Sequence, residues 1–477
     1  MTNFKYKVQL CVLLTAFAVV INSCRISEKY ARPEQHMPEQ FREHTTAVAD
    51  TASSIGSLEW RSLFKDQELI TLIDSAIHNN ISLQIAIKNI ESAQRILSQA
   101  KLGNIPELSA QIGASINRPS DNSLSGISAG QFLGSKYVKD YQAALNLSWE
   151  ADIWGKIRSQ KEAALANYLQ TEEAAKAVQT QVVASVAQGY FNLLMFDEQL
   201  RIAKNNVALN DSTLTIVRLQ YDAGQVTSLA IQQTEAQRLN SALLIPQLEE
   251  SIAVQENALS ILTGEMPKVI QRRQSIFLID LPDQYNSGVP ANLLSNRPDV
   301  KSSELALVAA NARVGVTKAE MYPSLTISAS GGLNTFQASN WFNIPGSLFA
   351  TAAGGLTQPI FLRKQLRTQY EISKIERDQS ALDFRRSVLF AVGEVSDALV
   401  GIDKIKEQET LEKTRVETLK LAIKNSKLLF NSGMANYLEV LIAQGSALQG
   451  ELNLADIQRQ RLSLIVELYR SLGGGWK

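Results

Sequence analysis

A chain of 477 residues is long enough for two or three ordinary domains and a large core. Its 47 basic and 47 acidic residues balance, which gives no reason to expect a nucleic-acid partner. No internal apolar run approaches the length of a membrane-spanning helix, so any membrane contact must be made by something else.

The first element is an export signal. Lys5 and Lys7 precede the apolar run Leu10 to Ile21, and Asn22-Ser23-Cys24 follows. A charged start, an apolar middle and a small residue before the cut assign residues 1–23 to a signal peptide. Cys24 after Ile21-Asn22-Ser23 resembles the lipobox of bacterial lipoproteins, where the cysteine receives lipid and becomes residue one. The alternative is an ordinary signal peptide with an incidental cysteine. Cys11 lies inside the signal, so the processed chain has no cysteine pair for a disulfide. Residues 24–59, with Pro33, Pro38 and many Ser, Thr and Glu residues, read as an extended tether with little chemistry.

From Trp60 to about Gly103 the apolar spacing is helical: Leu69, Leu72, Ile73, Ala76 and Ile77, then Leu83, Ile87, Ile90, Ala93 and Leu97. Asn79-Asn80 marks a break between two helices. After Pro106 the period changes to two. Leu108, Ala110, Ile112, Ala114 and Ile116 alternate with Ser109, Gln111, Gly113 and Ser115, which describes a strand with one apolar and one polar face. Tyr141, Ala143, Leu145, Leu147 and Trp149 repeat the pattern after a Ser/Gly/Asn loop over about 118–139.

Gly155 to Asp222 reads as one helix, about 100 Å long at about 1.5 Å per residue. Val178, Val182, Val186, Tyr190 and Leu193 form an apolar seam along it. Tyr221-Asp222-Ala223-Gly224 supplies a turn in which Gly can take positive φ, and a shorter helix returns to Gly264.

The chain then repeats itself. Residues 155–264 slide onto 364–473 without a gap at an offset of 209, which pairs Arg158 with Arg367, Val186 with Val395, Tyr221 with Phe430, Gly224 with Gly433 and Gly264 with Gly473. Val388, Val392, Val395, Leu399 and Ile402 form the matching seam. Upstream, Val300, Leu307, Ala310 and Pro323 match Leu83, Ile90, Ala93 and Pro106 at an offset of 217, and strands follow at Leu325 to Ser330 and Leu348 to Thr357. Loops absorb insertions, but a packed helix loses its buried face if its register slips, so the fixed offset points to stacked long helices. The division is a first repeat over 60–264, a linker over 265–290, a second repeat over 291–473 and a tail over 474–477.

Strands of roughly ten alternating residues suit a membrane β-barrel around water. Tyr137, Tyr141, Trp149, Trp154, Tyr322, Trp341, Phe342 and Phe361 stand near the strand ends, as a headgroup girdle requires. A half-buried sheet in a soluble domain is the alternative. Four strands cannot close a barrel alone, since single-chain barrels start at about eight. Bare sheet edges are an aggregation hazard. Several chains would have to pool their strands.

The chain resembles the TolC/OprM-type outer-membrane efflux proteins of the lipoprotein branch. The matching residues are Trp60-Arg-Ser-Leu-Phe64, Leu145-Asn-Leu-Ser-Trp-Glu-Ala-Asp-Ile-Trp-Gly155, Val289-Pro-Ala-Asn-Leu-Leu-Ser-Asn-Arg-Pro-Asp-Val300, Ala309-Ala-Asn-Ala-Arg-Val-Gly-Val316, Tyr322-Pro-Ser-Leu325 and Leu356-Thr-Gln-Pro-Ile-Phe361. They span nearly all of the mature chain. The resemblance implies a mainly α fold with a small β part. Twofold-repeated coiled-coil hairpins would form a trimeric α-barrel, and each subunit would give four strands to a twelve-stranded transmembrane β-barrel. It further implies a homotrimer, lipid-anchored through Cys24 (palmitate) in the outer membrane of a Gram-negative bacterium. The partners would be a periplasmic adaptor (membrane fusion) protein and an inner-membrane efflux pump, often of the resistance-nodulation-division class. The function implied is passive: a conduit for drugs, toxic compounds or metals, with no cofactor beyond the lipid. A type I protein-secretion duct, or a structural envelope lipoprotein without transport, are the alternatives.

In this family the channel narrows where the hairpins end, near Gly224 and Gly433. Some members close it with acidic residues six and nine positions after the second glycine; Glu439 holds the first position and Ile442 replaces the second. The polar latch of TolC would fall on Phe430, Ala435 and Ala230, which cannot form it. The candidate gate is therefore Glu439 with packing by Phe430, Met434 and Leu438, a solvated helix-end carboxylate being the other reading of Glu439. Nothing points to an enzyme. His36, His44 and His78 are the only histidines, and Gly130-Gln-Phe-Leu-Gly134-Ser-Lys136 fails the phosphate-loop spacing.

Overall fold

The computed structural model describes residues 26, 28–34, 37–38, 41, 54–282 and 290–477. The signal segment, Cys24, His36 and His44 lie outside the described residues. The elements in chain order are α1 (Gln67–Asn79), α2 (Ile81–Lys101), β1 (Glu107–Asn117), α3 (Leu124–Phe132), β2 (Val138–Ala151), α4 (Lys156–Asp222) and α5 (Ser228–Leu262). They continue with α6 (Pro298–Ala319), β3 (Ser324–Thr335), β4 (Leu348–Thr357), α7 (Gln365–Asn431) and α8 (Tyr437–Ser471). Contacts divide the chain into two compact units, each drawing segments from both halves of the sequence.

One unit holds the sheet, with Ser92–Leu169, Glu304–Leu382 and the described N-terminal residues up to Pro33. Its strands pair antiparallel in the order β1-β2-β3-β4. Residues opposite each other across an antiparallel ladder share a face. The register therefore lines up Leu108, Leu147, Ala329 and Ala352, then Ala110, Leu145, Gly331 and Ala350, then Ile112, Ala143, Leu333 and Leu348. On the other face stand Ser109, Asn146, Ser330 and Thr351, and beside them Glu107, Ser148 and Ser328. The Ala- and Gly-rich fourth strand thus falls into phase with the other three. Ser330 and Thr351 hydroxyls meet at 3.0 Å, and Asn334 Nδ2 donates to Asp140 Oδ1 at 2.8 Å.

The 118–139 connection, read from its Ser and Gly content as a loop, contains a helix. Ser123 caps α3 by accepting from the Gly126 amide at 3.1 Å, and that cap sets the helix start. The tether is also more than a spacer. Arg32 forks onto Glu304 through Nε at 2.6 Å and Nη2 at 2.7 Å, and Tyr30 donates to the same carboxylate at 3.0 Å.

The other unit is helical, with Gln170–Ser303, Asp383–Lys477 and the described part of Glu34–Glu91. Its core holds Tyr190, Phe191, Leu193 and Leu194 of α4, Leu259 of α5, Phe384, Ala391 and Val395 of α7, and Ile465, Leu468 and Tyr469 of α8. Asp66 caps α1 by accepting from the Glu68 and Leu69 amides, and the buried Tyr190 hydroxyl donates to the same carboxylate.

The offset of 209 holds to the residue. α4 and α7 are each 67 residues long and α5 and α8 each 35, with both bounds displaced by the same amount. All four helices end in the same way. The Gly224 amide donates to the Tyr221 carbonyl and the Gln225 amide to the Gln220 carbonyl, at 2.9 and 2.8 Å; Gly264, Gly433 and Gly473 head the same pair of bonds. These glycines have φ of 71°, 71°, 74° and 89° in the order Gly224, Gly264, Gly433 and Gly473.

Candidate functional site

Two arrangements carry functional chemistry, one in each unit. In the helical unit, the turn between α4 and α5 packs against the turn between α7 and α8. Val217, Ala230, Phe430 and Val440 form a buried cluster flanked by Ile216, Val226, Ile231 and Tyr437. Phe430 is only 4% exposed, so it joins the two hairpins instead of facing solvent. Tyr437 adds a hydrogen bond to Gln233 Oε1 at 2.6 Å, and buried Gln444 donates to Thr213 Oγ1 at 2.9 Å.

The other candidate gate residues separate from Phe430. Met434 is 74% exposed, Leu438 is 46% exposed, and Glu439 also lies at the surface. Glu439 stands in the first turn of α8, where Asn436 accepts from the Leu438 and Glu439 amides at 2.9 and 3.2 Å. Its side chain has no hydrogen bond or ion pair among the described residues. The positive end of the helix favours a carboxylate there without further partners. Gly224 and Gly433 sit in open turns, with no atom within 4 Å of a Cβ built on either.

The seam residues Val217 and Val440, together with Tyr437, escaped the sequence reading, and Ala230 entered it only as a position that cannot form the polar latch. Offset mates were read as equivalent, yet Tyr221 is exposed where Phe430 is buried, and Ala230 is buried where Glu439 is exposed. Which face each turn presents depends on how the hairpins pack, and no local pattern carries that.

In the sheet unit, the site is the sheet itself. Its apolar face carries Leu108, Ile112, Ile116, Leu145 and Ile327 exposed, Ile112 at 79%. Aromatic groups gather at both strand ends. Tyr141 meets Trp341 with ring centroids 5.5 Å apart and Trp341 stacks on Phe342 at 5.5 Å, while Trp154 lies 5.0 Å from Tyr322. The indoles near the helical end are anchored: Trp149 Nε1 donates to the Asn104 carbonyl at 2.9 Å and Trp154 Nε1 to the Pro323 carbonyl at 2.7 Å. Tyr141 and Trp149 are about 26 Å apart along β2 at about 3.3 Å per residue. That is close to the apolar band of about 25 Å on membrane barrels. β1 and β4 are both edge strands.

Among the described residues no helix is long and apolar enough to cross a membrane, and no group of His, Cys, Asp and Glu could hold a metal ion. In the would-be phosphate loop, Gly130 is part of α3 and Lys136 pairs with Asp121 at 3.0 Å.

The family model described as "Outer membrane efflux protein" matches residues 72–265 and 289–474. The chain is 28% identical over 472 residues to the cation efflux system protein CusC of Escherichia coli, covering 98% of this chain and 99% of that one. It is 29% identical over 470 residues to the solvent efflux pump outer membrane protein SrpC of Pseudomonas putida, covering 97% and 98%. A crystal structure of CusC, described as showing folding and transmembrane channel formation, superposes with a TM-score of 0.82 at 26% identity, covering 95% of this chain and all of that one.

Proposed function

The chain belongs to the outer membrane efflux protein family and is the outer-membrane channel of an efflux system; from that premise we propose that three copies pool their sheets into one twelve-stranded barrel. The observation that carries this reading is the four-stranded sheet, with one face apolar apart from Lys139 and Thr335 near one end, a more polar opposite face and two unpaired edges. An exposed apolar face is at home against lipid, and a polar face against water. β4 of one copy pairing with β1 of the next satisfies both edges and leaves the polar face around an aqueous lumen.

The chain itself performs no chemical step. An inner-membrane pump supplies the energy, and a periplasmic adaptor docks the trimer to it. The hairpin turns around Gly224 and Gly433 form the periplasmic aperture, where Met434, Leu438 and Glu439 are among the exposed side chains. Phe430 acts there from within, by holding the two turns together. Lipid on Cys24 anchors the N-terminus. The cargo is a metal cation or a small organic molecule, in keeping with the cation and solvent efflux systems of the two relatives.

Planar-bilayer recording on the purified, detergent-extracted protein tests the reading. Discrete conductance steps are the predicted result. Protein that inserts without conducting, or does not insert, would overturn it.

A further inference from the structure

In the sheet unit, a cavity of about 280 Å3 opens between α6, α7 and the tether, lined by Glu28, Asn311, Lys318, Tyr370, Lys374 and Arg377 among others. We propose that this cavity binds the phosphate of an anionic phospholipid in the leaflet that faces the periplasm. The proposal rests on the reading of the sheet as a membrane element and of Cys24 as the lipid-bearing residue.

Charge is the first argument. Three half-buried cations converge on one cavity, against the single carboxylate of Glu28. Lys374 and Arg377 have carboxylate neighbours on their own helix, Glu371 at 3.3 Å and Asp378 at 3.0 Å, but both acids are at the surface, and exposed pairs hold weakly. Lys318 has no ion pair among the described residues. Like charges brought together and partly desolvated call for an anion.

Depth is the second argument, and it is independent of the first. Lys318, next to last in α6, comes four residues before Tyr322 of the Tyr322–Trp154 aromatic pair, at most about 14 Å of chain. Aromatic belts stand at headgroup level. The tether fixes the same depth from the other side. Glu28 lines the cavity and its carbonyl accepts from Asn311 Nδ2 at 3.3 Å. Only four residues separate Glu28 from Cys24, a chain length that reaches at most about 14 Å. Arg32 and Tyr30 on Glu304 keep the tether seated along α6. The geometry therefore offers three cations for a headgroup phosphate, on the side of the helices where the described tether is seated.

The test is native mass spectrometry of the full, lipidated protein in detergent, delipidated and then titrated with phosphatidylglycerol, with phosphatidylcholine or with inorganic phosphate. The triple variant Lys318→Gln, Lys374→Gln and Arg377→Gln is titrated in parallel. Its bilayer conductance and melting temperature report that fold and channel are intact. The expected result is saturable phosphatidylglycerol binding, preferred over phosphatidylcholine and at least about tenfold weaker in the variant, as loss of charge-assisted hydrogen bonds implies. Equal phosphatidylglycerol binding by both proteins would overturn the proposal. Inorganic phosphate binding as tightly as the lipid would show a free-anion site and overturn the lipid assignment. Either failure, with conductance retained, leaves the channel reading standing.

Discussion

Glu439 and Phe430 are nine positions apart and do opposite work at one pair of turns. Phe430 is buried against Val217, Ala230 and Val440, while Glu439 is solvated at the capped start of α8. If the turns bound the aperture, three copies of Glu439 make a ring of negative potential there. Glu439→Ala should then lower the cation-to-anion permeability ratio measured from reversal potentials under a salt gradient, with conductance steps still present. An unchanged ratio removes Glu439 from the gate. A second residue-scale consequence lies at the other end of the long helices. Gly155 takes φ of 78°, and its offset mate Lys364 takes φ of 64° with a side chain to accommodate. The left-handed conformation costs an L-residue about 1–2 kcal/mol. Lys364→Gly regains part of it, less the entropy that glycine brings to the unfolded chain. Thermal or denaturant unfolding should show a gain of about 0.5–1 kcal/mol for Lys364→Gly and a loss for the β-branched Lys364→Val.

At the scale of elements, four helix ends share one geometry but differ in what surrounds them. A Cβ on Gly264 would meet the Asn79 carbonyl oxygen at 2.3 Å, and one on Gly473 the Asn296 oxygen at 2.5 Å, whereas Gly224 and Gly433 have open space. Gly224→Ala should therefore cost only the left-handed penalty, about 1 kcal/mol. Gly264→Ala and Gly473→Ala should cost clearly more, because backbone must move, and unfolding measurements on the three variants will order them. The same junctions are tied by side chains. Asn80 Nδ2 donates to the Leu262 carbonyl at 2.9 Å, and its counterpart Arg297 donates to the Ser471 carbonyl at 3.0 Å.

Arg297 is buried between Asp299 at 2.6 Å and Glu394 at 2.7 Å. Burial alone would push the Asp299 carboxyl up, but the hydrogen bonds and charge of Arg297 outweigh it and hold the carboxyl below its usual 3.8. A carboxyl depressed in the folded state stabilises above its unfolded value, and that contribution is lost as pH falls through the folded one. Melting temperature should therefore fall below about pH 4, and Asp299→Asn should lower stability at neutral pH and flatten the acid slope. An unaltered slope would contradict this role. The elements themselves were legible because a period of 3.6 and a period of two differ over ten residues. α3 was not. Leu124–Phe132 carries two glycines and two serines, and its start is set by the Ser123 cap, a contact that composition does not report.

For the whole molecule, the repeat was the most legible feature. Helix bounds displaced by 209 in both pairs follow from packing, since a one-residue slip would rotate each buried face out of its seam. What the sequence withheld was the inequivalence of the halves where they meet at the turns, because Phe430 against Tyr221 and Glu439 against Ala230 differ through three-dimensional packing. The sheet was legible in its alternation, and its register supports the assembly argument: three apolar rows, through Leu147, Leu145 and Ala143, cross all four strands and stop at two bare edges. The most direct measurement is a cryo-electron-microscopy reconstruction of the detergent-extracted protein. The account predicts a threefold ring in which β4 of each copy is hydrogen-bonded to β1 of the next, twelve strands in all, with Leu108, Ile112 and Leu145 facing the detergent belt. Particles of a single copy, or a trimer with β1 and β4 edges left unpaired, would contradict it.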